Sequence, residues 1–223
     1  MNKLISVIMP VKNGEKYLKE AISGIQNQGM NIEIIVVNDG SSDDTETIAK
    51  EMGAVVINLE TSQGQVAAKN IGLSHCHGEY VMFHDGDDVM NKGALRALYD
   101  ALEADNNLSA VMAKVKDFIS PDVSNPKEQQ KFIKDEPFYG LFTGAVLMRR
   151  EVFDIIGLFN IDVHTGEIME WENKMNAHHL LIKKIDIIAT NRRIHEHNFG
   201  KTNRLTEFQD YAKVLRQRLK KAD

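Results

Sequence analysis

Cysteine, proline and tryptophan are scarce in this chain, and the scarcity of cysteine excludes two classes of protein. Cys76 is the only cysteine among 223 residues, so neither an internal disulfide framework nor a cysteine zinc site is available. This agrees with a reducing compartment. Tryptophan occurs once and proline four times. Three of the prolines fall within 120–137, which predicts an exposed loop there.

Long hydrophobic runs are also missing at the amino terminus. The segment MNKLISVIMPVKNGEK has only a short apolar stretch before Lys12 and no small-residue cleavage site. We therefore expect a cytoplasmic protein without a spanning helix at this end. With 223 residues, of which 43% are hydrophobic and 26% charged, the chain fits one large domain with a substantial core.

Charge is unevenly distributed, because the formal net charge is -5 while 192–221 is locally basic. Apolar residues at helical spacing predict an amphipathic basic helix over 204–223; they are Leu205, Phe208, Ala212, Leu215 and Leu219. This helix either packs on its own domain, forms a homodimer interface, or contacts the anionic inner face of a membrane. The basic end lacks interleaved aromatic residues, so we expect no nucleic-acid partner.

Apolar runs alternate with helical patterns through the first half of the chain. The runs 4–9, 32–37, 54–58 and 79–83 are typical of buried strands, and Pro10 is expected to stop the first. The alternation predicts a mainly parallel sheet flanked by helices on both faces, with ligands at the carboxyl ends of the strands. Further elements are predicted at 92–104, 109–118, 144–148, 150–156, 167–179 and 181–188.

Three carboxylates lie within His84-Asp85-Gly86-Asp87-Asp88, directly after the fourth apolar run. Such groups repel one another unless a cation or hydrogen-bond donors neutralise them. Mn²⁺ or Mg²⁺ prefers oxygen ligands and would neutralise a diphosphate leaving group. An acidic turn or a helix cap would give the same short string.

Asp39 has an equivalent position after the second run. It either shapes the turn and caps the next helix, or it accepts a hydrogen bond from a nucleobase N–H or a ribose hydroxyl. Ser41, Ser42 and Asp43 also compete for the cap.

Three blocks together resemble the family 2 glycosyltransferases. They are VIMPVKNGEKYLKEAISGIQNQ, IEIIVVNDGSSDDT and GQVAAKNIGLSHCHGEYVMFHDGDD. The resemblance implies the Rossmann-like GT-A fold over 1–203, with a nucleotide-binding half at about 1–105 and an acceptor-binding half at about 106–203. It also implies a nucleoside diphosphate sugar donor, a UDP-sugar by expectation, and a saccharide or lipid-linked acceptor.

The resemblance also implies roles for particular residues. Asp39 contacts the base, Asp85 and Gly86 lie on the ribose side, and Asp87 binds the metal. Pro10 and Val11 line the base pocket, and Lys69, which stands where relatives usually carry Arg, is also expected to bind the nucleotide.

The catalytic base is where the sequence departs from the family pattern. An inverting transfer needs a carboxylate to remove the proton of the acceptor hydroxyl. Relatives carry Glu-Asp before an aromatic residue, whereas this chain has Met169-Glu170-Trp171. Glu170 is the first candidate, and Glu167, on the same helical face, is the second. Both are also explained as first-turn acids favoured by the helix dipole.

Basic residues near the end of the domain complete the set of candidates. His195 is expected to complete the metal site or bind the diphosphate, unless it is an exposed loop histidine. Arg192 and Arg193 are candidate phosphate clamps, although solvated arginines would look the same in sequence.

Two other functions remain open from the sequence. A nucleotide-sugar binding module without turnover would explain the altered Glu-Asp motif. A nucleotidyltransferase would share the metal site, but the segment after the first run has a single glycine, Gly14, where a glycine-rich phosphate loop is needed.

Overall fold

The structure is a computed structural model that describes residues 2–140, 143–162 and 166–198. Its strands are β1 (Ile5–Val11), β2 (Ile32–Asp39), β3 (Val55–Leu59), β4 (Tyr80–Phe83), β5 (Val89–Met90), β6 (Leu108–Ile119), β7 (Val146–Arg149) and β8 (Leu181–Ile194). Its α-helices are α1 (Leu18–Gln26), α2 (Thr45–Glu51), α3 (Gln65–Ser74), α4 (Ala94–Glu103), α5 (Pro126–Gln129), α6 (Val152–Ile156) and α7 (Glu167–Ala177).

The strands form one eight-stranded sheet in the order β3-β2-β1-β4-β7-β6-β8-β5. Pairing is parallel from β3 through β4 and between β6 and β8. It is antiparallel where β7 joins β4 and β6, and where β5 joins β8. The expected α/β fold is therefore confirmed, with a sheet that is parallel in the first half and mixed beyond it.

Successive strand residues point to opposite faces of the sheet, and helices cover both faces. On one face, α1 and α4 pack against Val7 and Met9 in one hydrophobic cluster. On the other, α3, α6 and α7 pack with Ile8 in a second cluster. The core strands are therefore apolar throughout rather than alternating.

One glycine allows α3 to approach the sheet closely. A Cβ on Gly72 would lie 2.3 Å from Ile8 Cγ2 and 3.2 Å from Val37 Cγ2. Real Cβ atoms do not come this near, so any larger residue would push α3 away from β1 and β2.

The short strand β5 brings the end of β8 to the carboxylates. It begins at Val89, one residue after Asp88, and pairs with Asn191 and Thr190 of β8. This pairing places the residues that follow Asn191 beside the turn after β4.

Some expectations about individual elements were wrong. Pro10 does not end β1, which continues to Val11. The pairing of β1 with β4 stops at Ile8, before Pro10, so the backbone N–H that Pro10 lacks is not needed on that side. The strand predicted at 181–188 continues to Ile194, and the loop predicted at 120–137 contains α5. The helix predicted over 204–223 lies outside the described residues. Within the described part of the chain, no helix has the length and hydrophobicity that a membrane crossing requires.

Candidate active site

The turn after β4 brings Asp85, Asp87 and Asp88 together, with one oxygen of each within 4.8 Å of the others. Burial raises the pKa of Asp85 to about 6, with the negative charge of Asp87 adding to the effect and Lys69 opposing it. Burial also raises the pKa of Asp88 well above its ordinary value, helped by the charges of Asp87 and Asp85. The charge of Asp87 therefore disfavours ionisation of both neighbouring aspartates.

These residues fit a hard divalent cation. Asp88 Oδ1 accepts the backbone N–H of Arg193 at 2.8 Å, whereas its buried Oδ2 has no hydrogen-bond partner among the described residues. A buried, unpaired carboxylate oxygen is costly unless something neutralises it. Oxygen ligands suit Mg²⁺ and Mn²⁺. The expected metal site at Asp87 is thus chemically suited to the ion, and Asp85 and Asp88 add oxygen atoms to it.

His195 is joined to this cluster through Asp87. Its Nε2 lies 2.9 Å from Asp87 Oδ2, and the backbone N–H of His197 donates to its Nδ1 at 3.2 Å. Because Nδ1 accepts, the proton is on Nε2, which donates to Asp87. The ring also lies 5.0 Å from that of Tyr17. The alternative of an exposed loop histidine was therefore wrong, since His195 is only 8% exposed.

Asp39 ends β2 and bonds to the loop that precedes α3 rather than capping α2. Its carboxylate accepts hydrogen bonds from Ser62 Oγ at 2.7 Å, Gln63 N at 2.6 Å and Gly64 N at 3.0 Å. Gly64 has a φ of +89°, which allows the loop to turn there and begin the helix. A carboxylate has about four acceptor positions, so these bonds leave room for one further donor such as a nucleobase N–H.

Val11, the last residue of β1, packs closely against Gly86 in the turn that carries the three aspartates. A Cβ on Gly86 would lie 2.9 Å from Val11 Cγ2, so the turn of the Asp85-Gly86-Asp87 segment depends on the absence of a side chain. Val11 is buried, while Pro10 before it is partly exposed. Pro10 therefore offers the more accessible surface to a ligand.

Lys69 forms a buried ion pair with Glu167. Its Nζ contacts Glu167 Oε1 and lies 3.0 Å from Thr143 Oγ1. Although burial lowers the pKa of Lys69, the charges of Glu167 and Asp85 outweigh it and raise that pKa above its usual value. The ammonium group is therefore held by the protein and electrostatically linked to the carboxylate cluster.

The two candidate bases, Glu170 and Glu167, have different surroundings. Glu167 is only 6% exposed and is paired with Lys69. Glu170 is partly buried; its Oε1 lies 3.3 Å from Lys174 Nζ, and its Oε2 has no partner among the described residues. Glu170 thus has a buried oxygen that no described residue engages, whereas Glu167 Oε1 is held by Lys69. Trp171 beside it is 1% exposed and packs in the core, so stacking on a sugar is excluded in this arrangement.

The arginines at the end of β8 are engaged within the protein. Arg192 makes a bidentate ion pair with Asp117, in which Nε donates to Oδ1 at 2.8 Å and Nη2 donates to Oδ2 at 3.0 Å. Arg193 is 4% exposed, and its guanidinium donates to Asp87 O, Ser120 Oγ and Glu20. The alternative of solvated arginines was therefore wrong for Arg193. Phosphate binding by either side chain would require these bonds to be exchanged.

Sequence reasoning missed Tyr17 as a residue of the site. Its ring lies 5.0 Å from that of His195 and 4.6 Å from the guanidinium carbon of Arg193. Its hydroxyl also donates to Asp122, at 3.0 Å from Oδ2. No local pattern links Tyr17 to residues so distant in sequence.

Comparison with known proteins decides the family. A family model described as "Glycosyl transferase family 2" matches residues 6–161 of this chain. The chain belongs to glycosyl transferase family 2. The match includes β1 through β4 and therefore Asp39 and the carboxylate cluster.

Among the relatives, the glycosyltransferase GlyG of Streptococcus pneumoniae serotype 4 is 28% identical over an alignment 233 positions long, which covers 93% of this chain and 75% of GlyG. The fold is similar to that of Staphylococcus aureus TarS 1–349 in complex with UDP-GlcNAc, with a TM-score of 0.70 and 22% identity. It is also similar to the mannosyltransferase PcManGT from Pyrobaculum calidifontis in complex with GDP-Man and Mn²⁺, with a TM-score of 0.76 and 17% identity.

The coverage of these structures is unequal. The two alignments cover 91% and 99% of this chain but only 61% and 65% of the solved chains. At these identities the likeness shows the GT-A fold of family 2 and nothing finer.

Proposed function

We propose that this chain transfers a sugar from a nucleoside diphosphate donor, a UDP-sugar, to a hydroxyl of a saccharide or lipid-linked acceptor, with inversion and with a requirement for Mn²⁺ or Mg²⁺. The observation that carries the proposal is the cluster of Asp85, Asp87 and Asp88 after β4, in which one buried oxygen has no partner within the described part of the chain. The family and the GT-A fold supply the reaction class.

Donor binding is assigned to the carboxyl ends of β1, β2 and β4. Asp39 has room for one more donor and is proposed to accept the base N–H, while Pro10 and Val11 line the base and Asp85 and Gly86 face the ribose. Asp87, Asp85 and Asp88 would hold the cation, with His195 beside Asp87. When bound, the cation neutralises charge that develops on the leaving diphosphate.

Glu170 is proposed as the base. As the acceptor oxygen forms a bond to the anomeric carbon, the bond from that carbon to the diphosphate oxygen breaks, and its electron pair leaves with the nucleoside diphosphate. The acceptor proton moves to Glu170 Oε2, the oxygen that no described residue engages. Attack from the side opposite the diphosphate inverts the anomeric carbon.

A ligand panel tests donor binding. Thermal unfolding is measured with UDP, GDP, and UDP- and GDP-sugars, each with Mn²⁺ or with chelator, because a ligand bound only by the folded state raises its stability. We expect stabilisation by UDP compounds only with the metal, and its loss in Asp87→Ala. Asp154→Asn, which changes an exposed carboxylate on α6, is the matched control. Equal responses with metal and chelator would contradict the metal requirement.

A transfer assay then separates an enzyme from a binding module. Glu170→Gln is expected to keep the affinity for UDP and to lose transfer by about a hundredfold or more, since general-base catalysis contributes on the order of 10²–10⁴. Unchanged turnover would reject Glu170 as the base. Metal-dependent UDP binding in wild-type protein with neither transfer nor donor hydrolysis would favour a non-catalytic nucleotide-sugar binding module.

A further inference from the structure

Two adjacent residues of α3 hold the second half of the domain. Lys69 is 2% exposed and ion-paired with Glu167, the first residue of α7, which is 6% exposed. The same Nζ lies 3.0 Å from Thr143 Oγ1, just before β7. One buried cation therefore connects α3 to two separate parts of the acceptor-binding half.

Asn70 makes a second connection to that half. Its Nδ2 donates to Phe159 O at 2.9 Å, and Phe159 N donates to its Oδ1 at 3.0 Å. Both polar groups of the amide side chain are therefore used on one backbone unit. The ring of Phe159 packs against those of Phe83 and Phe153, so the turn after α6 is fixed from both sides.

The turn held by Asn70 leads on to Glu170. Lys174 Nζ donates to Leu158 O at 3.1 Å and lies 3.3 Å from Glu170 Oε1. A continuous series of polar contacts thus runs from Asn70 through Phe159, Leu158 and Lys174 to Glu170.

We propose that Lys69 and Asn70, which together we name the α3 clasp, are positioning residues that fix α7, and with it Glu170, relative to the carboxylate cluster. This rests on the proposed role of Glu170. On this proposal Lys69 acts through its ion pair with Glu167 rather than as a nucleotide ligand.

Directional contacts are needed here because the apolar contacts of α7 do not fix its position along the sheet. Ile168, Trp171 and Met175 bury the helix in the second cluster, but hydrophobic burial is non-directional. An ion pair at Glu167, the first helical residue, and hydrogen bonds at Phe159 limit how far the helix can slide or rotate. A misplacement of about 1 Å at a catalytic group costs about a hundredfold in rate.

Asn70→Ala is the first test, because it removes the hydrogen bonds to Phe159 without changing any charge. We expect kcat to fall by about ten- to a hundredfold, while the KM for the UDP-sugar and the affinity for UDP with Mn²⁺ change by less than about threefold. Ser74→Ala, an exposed position on the same helix, is the control and is expected to keep wild-type kcat. An Asn70→Ala enzyme with unchanged kcat would overturn the proposal.

The ion pair is tested with a charge-neutral double variant. Lys69→Met alone would leave Glu167 charged and buried, which can prevent folding. Lys69→Met with Glu167→Gln removes both charges and is expected to recover a melting temperature near that of the wild type. Because Glu167 is itself the second candidate base, a low kcat in this variant does not distinguish positioning from catalysis, and its support for the proposal comes from faster exchange of the α7 amides. Recovery of kcat together with stability would mean that the pair is only structural and would overturn the proposal for Lys69.

Hydrogen exchange tests, independently of activity, whether the α3 clasp fixes α7. Amides of 167–177 are expected to exchange about tenfold faster in Asn70→Ala and in the double variant than in wild-type protein, because α7 opens more often when its anchors are removed. Exchange in α4, which packs on the other face, is expected to stay unchanged. Absence of transfer by wild-type protein would refute the proposed function but leave this test valid. Unchanged exchange in α7 would refute the α3 clasp.

Discussion

Metal affinity is expected to fall steeply when the pH is lowered from 7 to 5. A cation can bind Asp85 and Asp88 only in their ionised forms, and burial together with neighbouring charge raises both pKa values. Protons therefore compete with the metal in a range where an ordinary aspartate, with a pKa of about 4, is fully ionised. The effect is a property of the folded cluster rather than of aspartate in general.

The magnitude follows from the pKa of Asp85, which is about 6. A group with this pKa is roughly 90% ionised at pH 7 and roughly 10% ionised at pH 5. Asp85 alone should therefore weaken Mn²⁺ binding about tenfold, or about 1.4 kcal/mol, over this range. The raised pKa of Asp88 acts in the same direction.

The assay is a calorimetric titration with Mn²⁺ at pH 5, 6 and 7, in the presence of saturating UDP and at constant ionic strength. Asp87→Ala is expected to show no binding at any of these pH values. Asp154→Asn should reproduce the wild-type dependence, because its carboxylate is exposed on α6. Equal Mn²⁺ affinity at pH 5 and pH 7 would refute the reasoning, since it would mean that the buried carboxylates are not the ligands.

Three further predictions concern residues around the site. Asp39→Asn replaces one of the carboxylate oxygens that accept hydrogen bonds from residues 62–64. In chemical denaturation we expect the free energy of unfolding to fall by about 1–3 kcal/mol, and UDP binding to weaken. Unchanged UDP affinity would exclude the contact between Asp39 and the base. Gly72→Ala places a Cβ 2.3 Å from Ile8 Cγ2, so we expect a loss of about 1–3 kcal/mol in the same assay, and no loss would mean that α3 can move away freely. Arg193→Met removes a buried guanidinium together with the hydrogen bonds it donates, so we expect the free energy of unfolding to fall by about 2–4 kcal/mol. A fall of less than about 1 kcal/mol would show that other contacts hold the end of β8.

The fold of the first half could be predicted from the sequence because its signals are local. Each core strand is a continuous apolar run, and α1 shows its apolar positions at helical spacing. The turn residues after β2 and β4 are likewise adjacent in sequence. The end of β8 could not be predicted in this way, because Arg192 and Arg193 are polar residues whose strand geometry depends on pairing with β6.

The residues of the candidate site also differ in whether the sequence alone could identify them. Asp39, Asp85 and Asp87 were identifiable because a strand end places them where ligands bind in parallel sheets. The contact of His195 with Asp87 joins positions 108 residues apart, and the pairing of Lys69 with Glu167 joins positions 98 residues apart. No sequence periodicity extends over such distances.

The sequence by itself determined which residue types stand at the strand ends, and therefore the kind of chemistry that the site can support. Only the tertiary structure decided how those groups are used. It paired Glu167 with Lys69, left one oxygen of Glu170 unpaired among the residues that the structure describes, and bound the Arg193 guanidinium to Glu20. The physical reason is that strand and helix formation respond to neighbours in sequence, whereas burial and charge pairing are set by groups that meet only when the sheet is assembled.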